Sequence, residues 1–254
     1  QVEVVSASAA SAGSIVVFET GAVSYVAATF DSANNKVVIA YKDGGNSNYG
    51  TAAVGTVSGT SISFGTPVVF ASTTTNWIAI TFDSNSNKVV IVWQNNCVVG
   101  TVSGTSISFG SSTSYSNTAA YNSITFDSTN NKVVISFSDY GASSVGKAVV
   151  GTVSGTSISF GSVVTFKSGT EAVYTAITFD SSSSKVVIAY SLALSSYVGK
   201  AVVGTVSGTS ISFGSEAAFS SSNSQLNQAV YDSVNNKVII IYMDGGDSDK
   251  GKAV

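Results

Sequence analysis

Five positions in this 254-residue chain share one place in a recurring text. Tyr25, Trp77, Tyr121, Tyr174 and Leu226 each stand six residues before an Asp that opens a turn. Four of the five are aromatic. An aromatic face offers apolar area with directional polar edges, a surface on which a sugar ring can stack. Asn76 and Asn122 adjoin Trp77 and Tyr121 and bring amides that both donate and accept hydrogen bonds. Tyr25, Trp77, Tyr121, Tyr174, Asn76 and Asn122 are therefore the candidate ligand contacts. Packing between repeats is the competing expectation for the same aromatics, since large rings dominate cores as readily as sites.

Other chemistry is thin. There is no His, so neither a Ser-His-Asp nor a Cys-His device exists, and the usual transition-metal ligand is missing. Glycoside hydrolysis needs two carboxylates about 5 to 9.5 Å apart. The stretches expected nearest a central channel, such as Ile78–Phe82 and Thr175–Phe179, carry none, and Glu19 and Glu171 fall in separate repeats. A non-enzyme is expected. The turn aspartates Asp31, Asp83, Asp127, Asp180 and Asp232 read as turn formers bonding their own backbone. Asp244, Asp247 and Asp249 form the acidic cluster; alternating oxygen ligands make it a weak Ca²⁺ candidate, without the full loop signature or a later bidentate Glu. No other cofactor is expected. Cys97 is single, excludes an internal disulfide, and reads as a small buried hydrophobe.

Composition narrows the partners. Eleven Lys, no Arg and a net charge of −3 leave no basic cluster to neutralise phosphates, which argues against nucleic acid. No apolar run approaches 18 residues, so no membrane insertion is expected.

The elements that must position these residues are repeats. Gly55–Gly65 (GTVSGTSISFG) returns unchanged at Gly100–Gly110, Gly151–Gly161 and Gly204–Gly214. A second text, Thr29–Tyr41, recurs around the five turn aspartates, which are spaced 52, 44, 53 and 52 residues apart. Periods near 40–50 residues with several short strands each are those of propeller blades. The first unit predicts strands at Tyr25–Phe30, Lys36–Tyr41, Thr51–Val57 and Ser61–Phe70, rich in Val, Ile and Thr and separated by Gly, Asn, Asp and Ser. Lys36–Tyr41 and Ala52–Val54 are apolar on both alternating faces, as expected of sheets covered on two sides. Essentially no helix is expected. The expected fold is all-β: a single five-bladed β-propeller with four-stranded antiparallel blades at about 22–70, 74–115, 118–167, 171–219 and 226–254 plus 1–19. Head and tail match complementary parts of one repeat: Gly251–Val254 continues in complete copies, and Ser11–Phe18 matches Ser63–Phe70. The N-terminal segment is thus expected to add the outer strand of the last blade, leaving no open edge.

In such blades the first and third turns share one face. That face is uniform here: Asp-Ser-x-x-x-Lys, then Ser-Gly-Thr. The other collects the variable loops Lys42–Gly50, Gln94–Asn96, Ser138–Gly146, Ser191–Gly199 and Met243–Gly251, where recognition by a rigid scaffold usually sits. Tyr41, Trp93, Phe137, Tyr190 and Tyr242 form a second register and read as packing.

The two repeat texts resemble the near-identical repeats in propeller segments of large surface and tail-fibre-like proteins of marine bacteria and their phages. The resemblance spans the whole chain and implies a scaffold rather than an activity. In blade number the chain is also similar to tachylectin-type five-bladed lectins, without a motif that aligns residue by residue. The expected function is a non-enzymatic extracellular or virion-surface recognition module, directed at a surface glycan through the variable-loop face. The alternative is a structural, decoration or appendage subunit contacting other protein chains.

Overall fold

The structure, a computed structural model, describes residues 13–254. It is almost entirely β. The first repeat unit forms β1 (Val23–Asp31), β2 (Lys36–Asp43), β3 (Tyr49–Ser58), β4 (Ser61–Phe64) and β5 (Val68–Thr74). The second forms β6 (Ala79–Asp83), β7 (Lys88–Trp93), β8 (Asn96–Ser103), β9 (Ser106–Phe109) and β10 (Thr113–Ser114). The third forms β11 (Ala119–Asp127), β12 (Lys132–Asp139), β13 (Val145–Ser154), β14 (Ser157–Phe160) and β15 (Val164–Lys167). The remainder forms β16 (Ala172–Asp180), β17 (Lys185–Leu192), β18 (Val198–Ser207), β19 (Ser210–Phe213), β20 (Ala217–Asp232), β21 (Lys237–Asp244) and β22 (Lys250–Ala253). In line with the expectation of essentially no helix, the only helical elements among the described residues are three single 3₁₀ turns at Tyr140–Ala142, Ala193–Ser195 and Gly245–Asp247.

Hydrogen bonding yields four antiparallel sheets where the repeat count predicts five. The reason lies in β20. It runs unbroken through the link that ends a strand in the other units, pairing first with β18 and then with β21. The last two units are thereby joined into one seven-stranded sheet. The inner strands of all five units nevertheless line one channel.

The outer strand also differs from expectation. Ser61–Phe70 is not continuous: β4 pairs with the far half of β3 and β5 with the near half, and Gly65–Pro67 lie between them. The break is forced by the neighbouring unit. A Cβ on Gly65 would stand 1.9 Å from the carbonyl oxygen of Thr105, in the next unit's Ser-Gly-Thr turn. Gly110 and Gly161 meet Thr156 and Thr209 in the same way, at 2.0 and 1.8 Å. Only a residue without a side chain admits that backbone approach.

Aromatic plugs fill the space between units. Phe70 sits 5.2 Å from Trp93 and 5.8 Å from Phe109 of the following unit. Tyr115 and Phe166 repeat this against Phe137 with Phe160 and Tyr190 with Phe213. The second aromatic register is accordingly buried, with Tyr41, Phe137 and Tyr190 fully inaccessible. Each such ring contributes roughly 2–3 kcal/mol relative to exposure. Cys97 lies in the same kind of cluster, beside Val90, Val92 and Tyr115, and burial pushes its thiol pKa up.

The first described residues occupy the same station without forming a strand. Gly13 abuts Thr60, and Phe18 packs on Tyr41 and Phe64 as Phe70 packs on Trp93 and Phe109. Residues 13–22 carry no ladder pairing, so the expected strand over Ser11–Phe18 is absent in its described part, although the aromatic contact survives. The part of the expected N-terminal outer strand that precedes Gly13 lies outside the described residues. Apolar clusters join consecutive units from the first to the last, and the described residues show none between the last unit and the first. Val26 and Phe30 of the first unit and Val230 and Ile241 of the last are exposed.

The glycine contacts make a controlled experiment. Gly110→Ala should destabilise by about 2–4 kcal/mol, because the methyl group meets rigid backbone. Gly214→Ala should leave the urea midpoint essentially unchanged, since its nearest neighbour is the Val203 carbonyl at 3.9 Å. Equal midpoints for the two variants would remove the contact from the account.

Candidate functional site

The aromatic positions share a backbone conformation that the sequence does not announce. Tyr25, Trp77, Tyr121, Tyr174 and Leu226 have φ of 50°, 52°, 50°, 52° and 52°. This is the left-handed region, which costs a side-chain-bearing residue of order 1–3 kcal/mol. In four of the five units a register shift at this point marks a β-bulge in the inner strand. A bulge re-aims a side chain that a regular strand would direct into the sheet face.

The bulge frees main-chain carbonyls, and the neighbouring unit satisfies them. Asn122 Nδ2 donates to the carbonyls of Trp77 (3.2 Å) and Gln94 (2.9 Å). Thr175 Oγ1 donates to the Tyr121 carbonyl at 2.6 Å, and Asn227 Nδ2 to the Tyr174 carbonyl at 3.1 Å. Each donor is the residue after the next unit's own left-handed residue. Val26 and Ile78 hold that place in the first two units and carry no donor.

The rings form a chain. Tyr25 to Trp77 is 6.2 Å between centroids, Trp77 to Tyr121 5.9 Å and Tyr121 to Tyr174 4.9 Å. Two rings that sequence reasoning missed extend it: Tyr140 stacks on Tyr121 at 6.2 Å and 27°, and Tyr197 stands 6.2 Å from Tyr174. Both come from variable loops but at different loop positions, so no common register exposes them. Lys42 Nζ lies 5.7 Å from the Tyr25 ring centroid, a cation–π contact, and donates to Asn76 Oδ1 at 3.0 Å. Asn76 and Asn122 are thus both engaged between units, while Asn122 Oδ1 is buried without a partner. Tyr25 is 42% exposed and Tyr140 51%; Trp77, Tyr121 and Tyr174 are half-buried.

Burial, followed by the hydrogen bond with Tyr140, pushes the Tyr121 phenol up to about 12. Burial, then the neighbouring Tyr121, raises Tyr174 as well. Both hydroxyls stay protonated across the physiological range and remain donors.

Beneath the rings the channel holds a cavity of ≈ 420 Å³ between the inner strands, lined by residues such as Ala27, Ala79, Ser123, Ala176 and Gln228 and by no carboxylate. The opposite mouth has a second aromatic set, Phe30, Phe82, Phe126, Phe179 and Tyr231, alternating with threonines around ≈ 530 Å³. Its signal was legible in the recurring Thr-Phe-Asp. A side pocket of ≈ 280 Å³ opens beside Trp77, bounded by Gln94, Asn95, Thr118 and Tyr140.

The acidic cluster is internally compensated. Asp244 accepts from Ser222 Oγ at 2.8 Å and Lys252 Nζ at 2.6 Å, and the lysine contact holds its carboxyl below the usual range. Asp247 pairs with Lys250 (2.9 Å) and Lys252 (3.2 Å). Asp249 sits in a left-handed turn at φ 59°. Among the described residues no group of three or more His, Cys, Asp or Glu is placed to hold a metal. The turn aspartates do bond their own backbone: Asp31 and Asp127 Oδ1 each accept from the amides two and three residues on.

Comparison with known proteins gives a fold and no family. No protein-family model and no curated sequence matches the chain. Among solved structures it is similar to a protein from Lactobacillus plantarum (TM-score 0.60, 13% identity, 90% of this chain and 69% of that one). It is similar to the SapL1 lectin, solved with alpha methyl fucoside (0.55, 13%, 90% and 74%). It is also similar to an exo-β-1,3-galactanase from Phanerochaete chrysosporium, solved with β-1,3-galactotriose (0.52, 12%, 85% and 59%). At these identities the likeness shows architecture: a lectin and a glycoside hydrolase share this multi-sheet β fold.

Two substitutions probe the supports. Asn122→Ala removes both donors to the Trp77 and Gln94 carbonyls and should cost about 1–3 kcal/mol in urea unfolding. The hydroxyls of Ser183 and Ser182 hold Asp180 down at about 2, against 3.8 when free. A depressed carboxylate contributes stability above its unfolded value and loses it as pH falls through the folded one. The Ser182→Ala/Ser183→Ala variant should melt below the parent at pH 6, with the gap closing between pH 4 and about pH 2. A gap independent of pH would assign the effect elsewhere.

Proposed function

We propose that this protein is a non-enzymatic recognition module of a cell or virion exterior that binds surface carbohydrate through its aromatic-rimmed loop face. One observation carries the reading: four aromatic residues are held in left-handed backbone around one channel mouth. Asn or Gly fits that conformation at lower cost, so a scaffold needing only the bend has cheaper choices. Strain repeated at one register is the kind kept where the side chain is used. Apolar faces bordered by phenol and amide groups suit the alternating C–H and O–H surfaces of a sugar. The sugar-bound lectin of similar fold supports the class of ligand and no particular sugar.

Binding without hydrolysis is favoured over glycosidase chemistry by the channel lining, which offers no carboxylate pair. On this reading the five units close into a five-bladed β-propeller, with the N-terminal segment packed, without strand pairing over residues 13–22, in the place of the fifth blade's outer strand. Gly13 and Phe18 support that closure, since both stand against the first unit as their counterparts stand against the others. The exterior setting is supported by the sparse charge and by the likeness of the repeats to surface and tail-fibre-like segments. Ca²⁺ is not part of the proposal.

A second reading, an appendage subunit contacting other chains, is favoured by the exposed Val26 and Phe30 of the first unit and Val230 and Ile241 of the last. A glycan array combined with light scattering separates the two. The first reading predicts reproducible sugar binding by a monomer, lost in both Trp77→Ala and Tyr121→Ala. Oligomers with no glycan bound would overturn it in favour of the second.

A further inference from the structure

The five units are not equivalent at the loop face, and the difference creates a pocket. In the third and fourth units a loop tyrosine stands against the unit's own left-handed aromatic: Tyr140 on Tyr121, Tyr197 by Tyr174. In the first, Lys42 lies over Tyr25. The second unit has lost this cover. Its loop is the two-residue turn Gln94-Asn95, because Trp93 already pairs with Asn96. Trp77 therefore has an open flank, and the ≈ 280 Å³ pocket lies there.

We propose that this pocket is a single subsite for one terminal neutral pyranose, one per chain, with Trp77 as its stacking face. The proposal rests on the carbohydrate reading above and narrows it. Its volume is at the small end of ligand sites, enough for one ring and not for an oligosaccharide. Trp77 forms one wall and the half-exposed Tyr140 ring another. Gln94 is positioned by its own backbone, whose amide donates to the Asn76 carbonyl at 3.0 Å and whose carbonyl accepts from Asn122. Its side-chain amide makes no hydrogen bond within the described residues and offers a donor and an acceptor to adjacent hydroxyls. Asn95, by contrast, is spent on the fold: Oδ1 accepts from the Ala119 amide and Nδ2 donates to the Asn117 carbonyl. No charged residue lines the pocket. The nearby Asp139 carboxylate is buried and engaged by Lys147 and Thr118. An anionic sugar would lose hydration there and gain no partner.

Tryptophan fluorescence reads the site directly. Of the two tryptophans, Trp93 is 3% exposed and packed on Phe70, which leaves Trp77 as the reporter. The intact protein is titrated with the methyl glycosides of galactose, glucose, fucose and N-acetylglucosamine, and with glucuronate and N-acetylneuraminate. Stoichiometry is taken from calorimetry. The expected result is an emission change with at least one neutral glycoside, one site per chain, and no response to the acids. Affinity should fall at least about tenfold in Gln94→Gly, which suits the left-handed backbone there. It should fall equally when the Ser138–Gly146 loop replaces Gln94-Asn95 and restores a covering tyrosine. Trp77→Phe should keep the fold and bind more weakly than the parent. Four or five sites per chain, or unchanged affinity in both the Gln94 and loop variants, overturns the single subsite. So does binding of no neutral glycoside. In that case a positive glycan array leaves the broader reading standing, and a negative one removes both.

Discussion

Everything in this molecule depends on how one sheet is allowed to touch the next. A sheet that is apolar on both faces has no stable solution alone and must be covered twice. Here the cover is specified by two recurrent contacts. A glycine in the outer strand lets backbone reach the next unit's Thr carbonyl, and an aromatic plug enters between two rings of that unit. The first sets the distance and the second supplies apolar burial. The invariant GTVSGTSISFG text is the chemical record of both sides of this contact: its terminal glycine, and the Thr in the turn that receives the preceding unit's glycine.

A scaffold held that tightly can tolerate unfavourable backbone elsewhere. The left-handed aromatics sit where inner strands bulge, and their carbonyls are taken up by Asn122, Thr175 and Asn227 from adjacent units. The strain is local while its support is distributed. The glycine and aromatic-plug contacts recur although the loops above them vary, and the shortened second loop leaves Trp93 and Cys97 buried beneath it.

Much of this was legible in residue order. Repeat length, strand-rich composition and the Asp turns follow from periodicity and turn chemistry, and the buried second register follows from apolar runs on both faces. The aromatics at one register were visible, but their left-handed backbone was not, since Tyr and Trp are not the residues that conformation selects. The split outer strand was hidden because Gly65 is shaped by Thr105, forty residues on. The continuity of β20, which merges two expected sheets, arises in a Ser- and Asn-rich link that carries no strand signal. Asn122 read as a free ligand contact, whereas its Nδ2 is committed to two carbonyls across the unit boundary. Tyr140 and Tyr197 lie outside the repeat, where internal comparison has no purchase.

The central claim is that the left-handed aromatics are kept for what they present and not for what they stabilise. Thermal melting of the Trp77→Asn/Tyr121→Asn variant tests it most directly, because both residues are left-handed and Asn accepts the same backbone at little cost. Relief of strain should offset the lost half-burial, leaving the midpoint within about 4 °C of the parent while carbohydrate binding by the loop face is lost. A fall of about 10 °C or more would show that these rings hold the structure together, and would contradict the account.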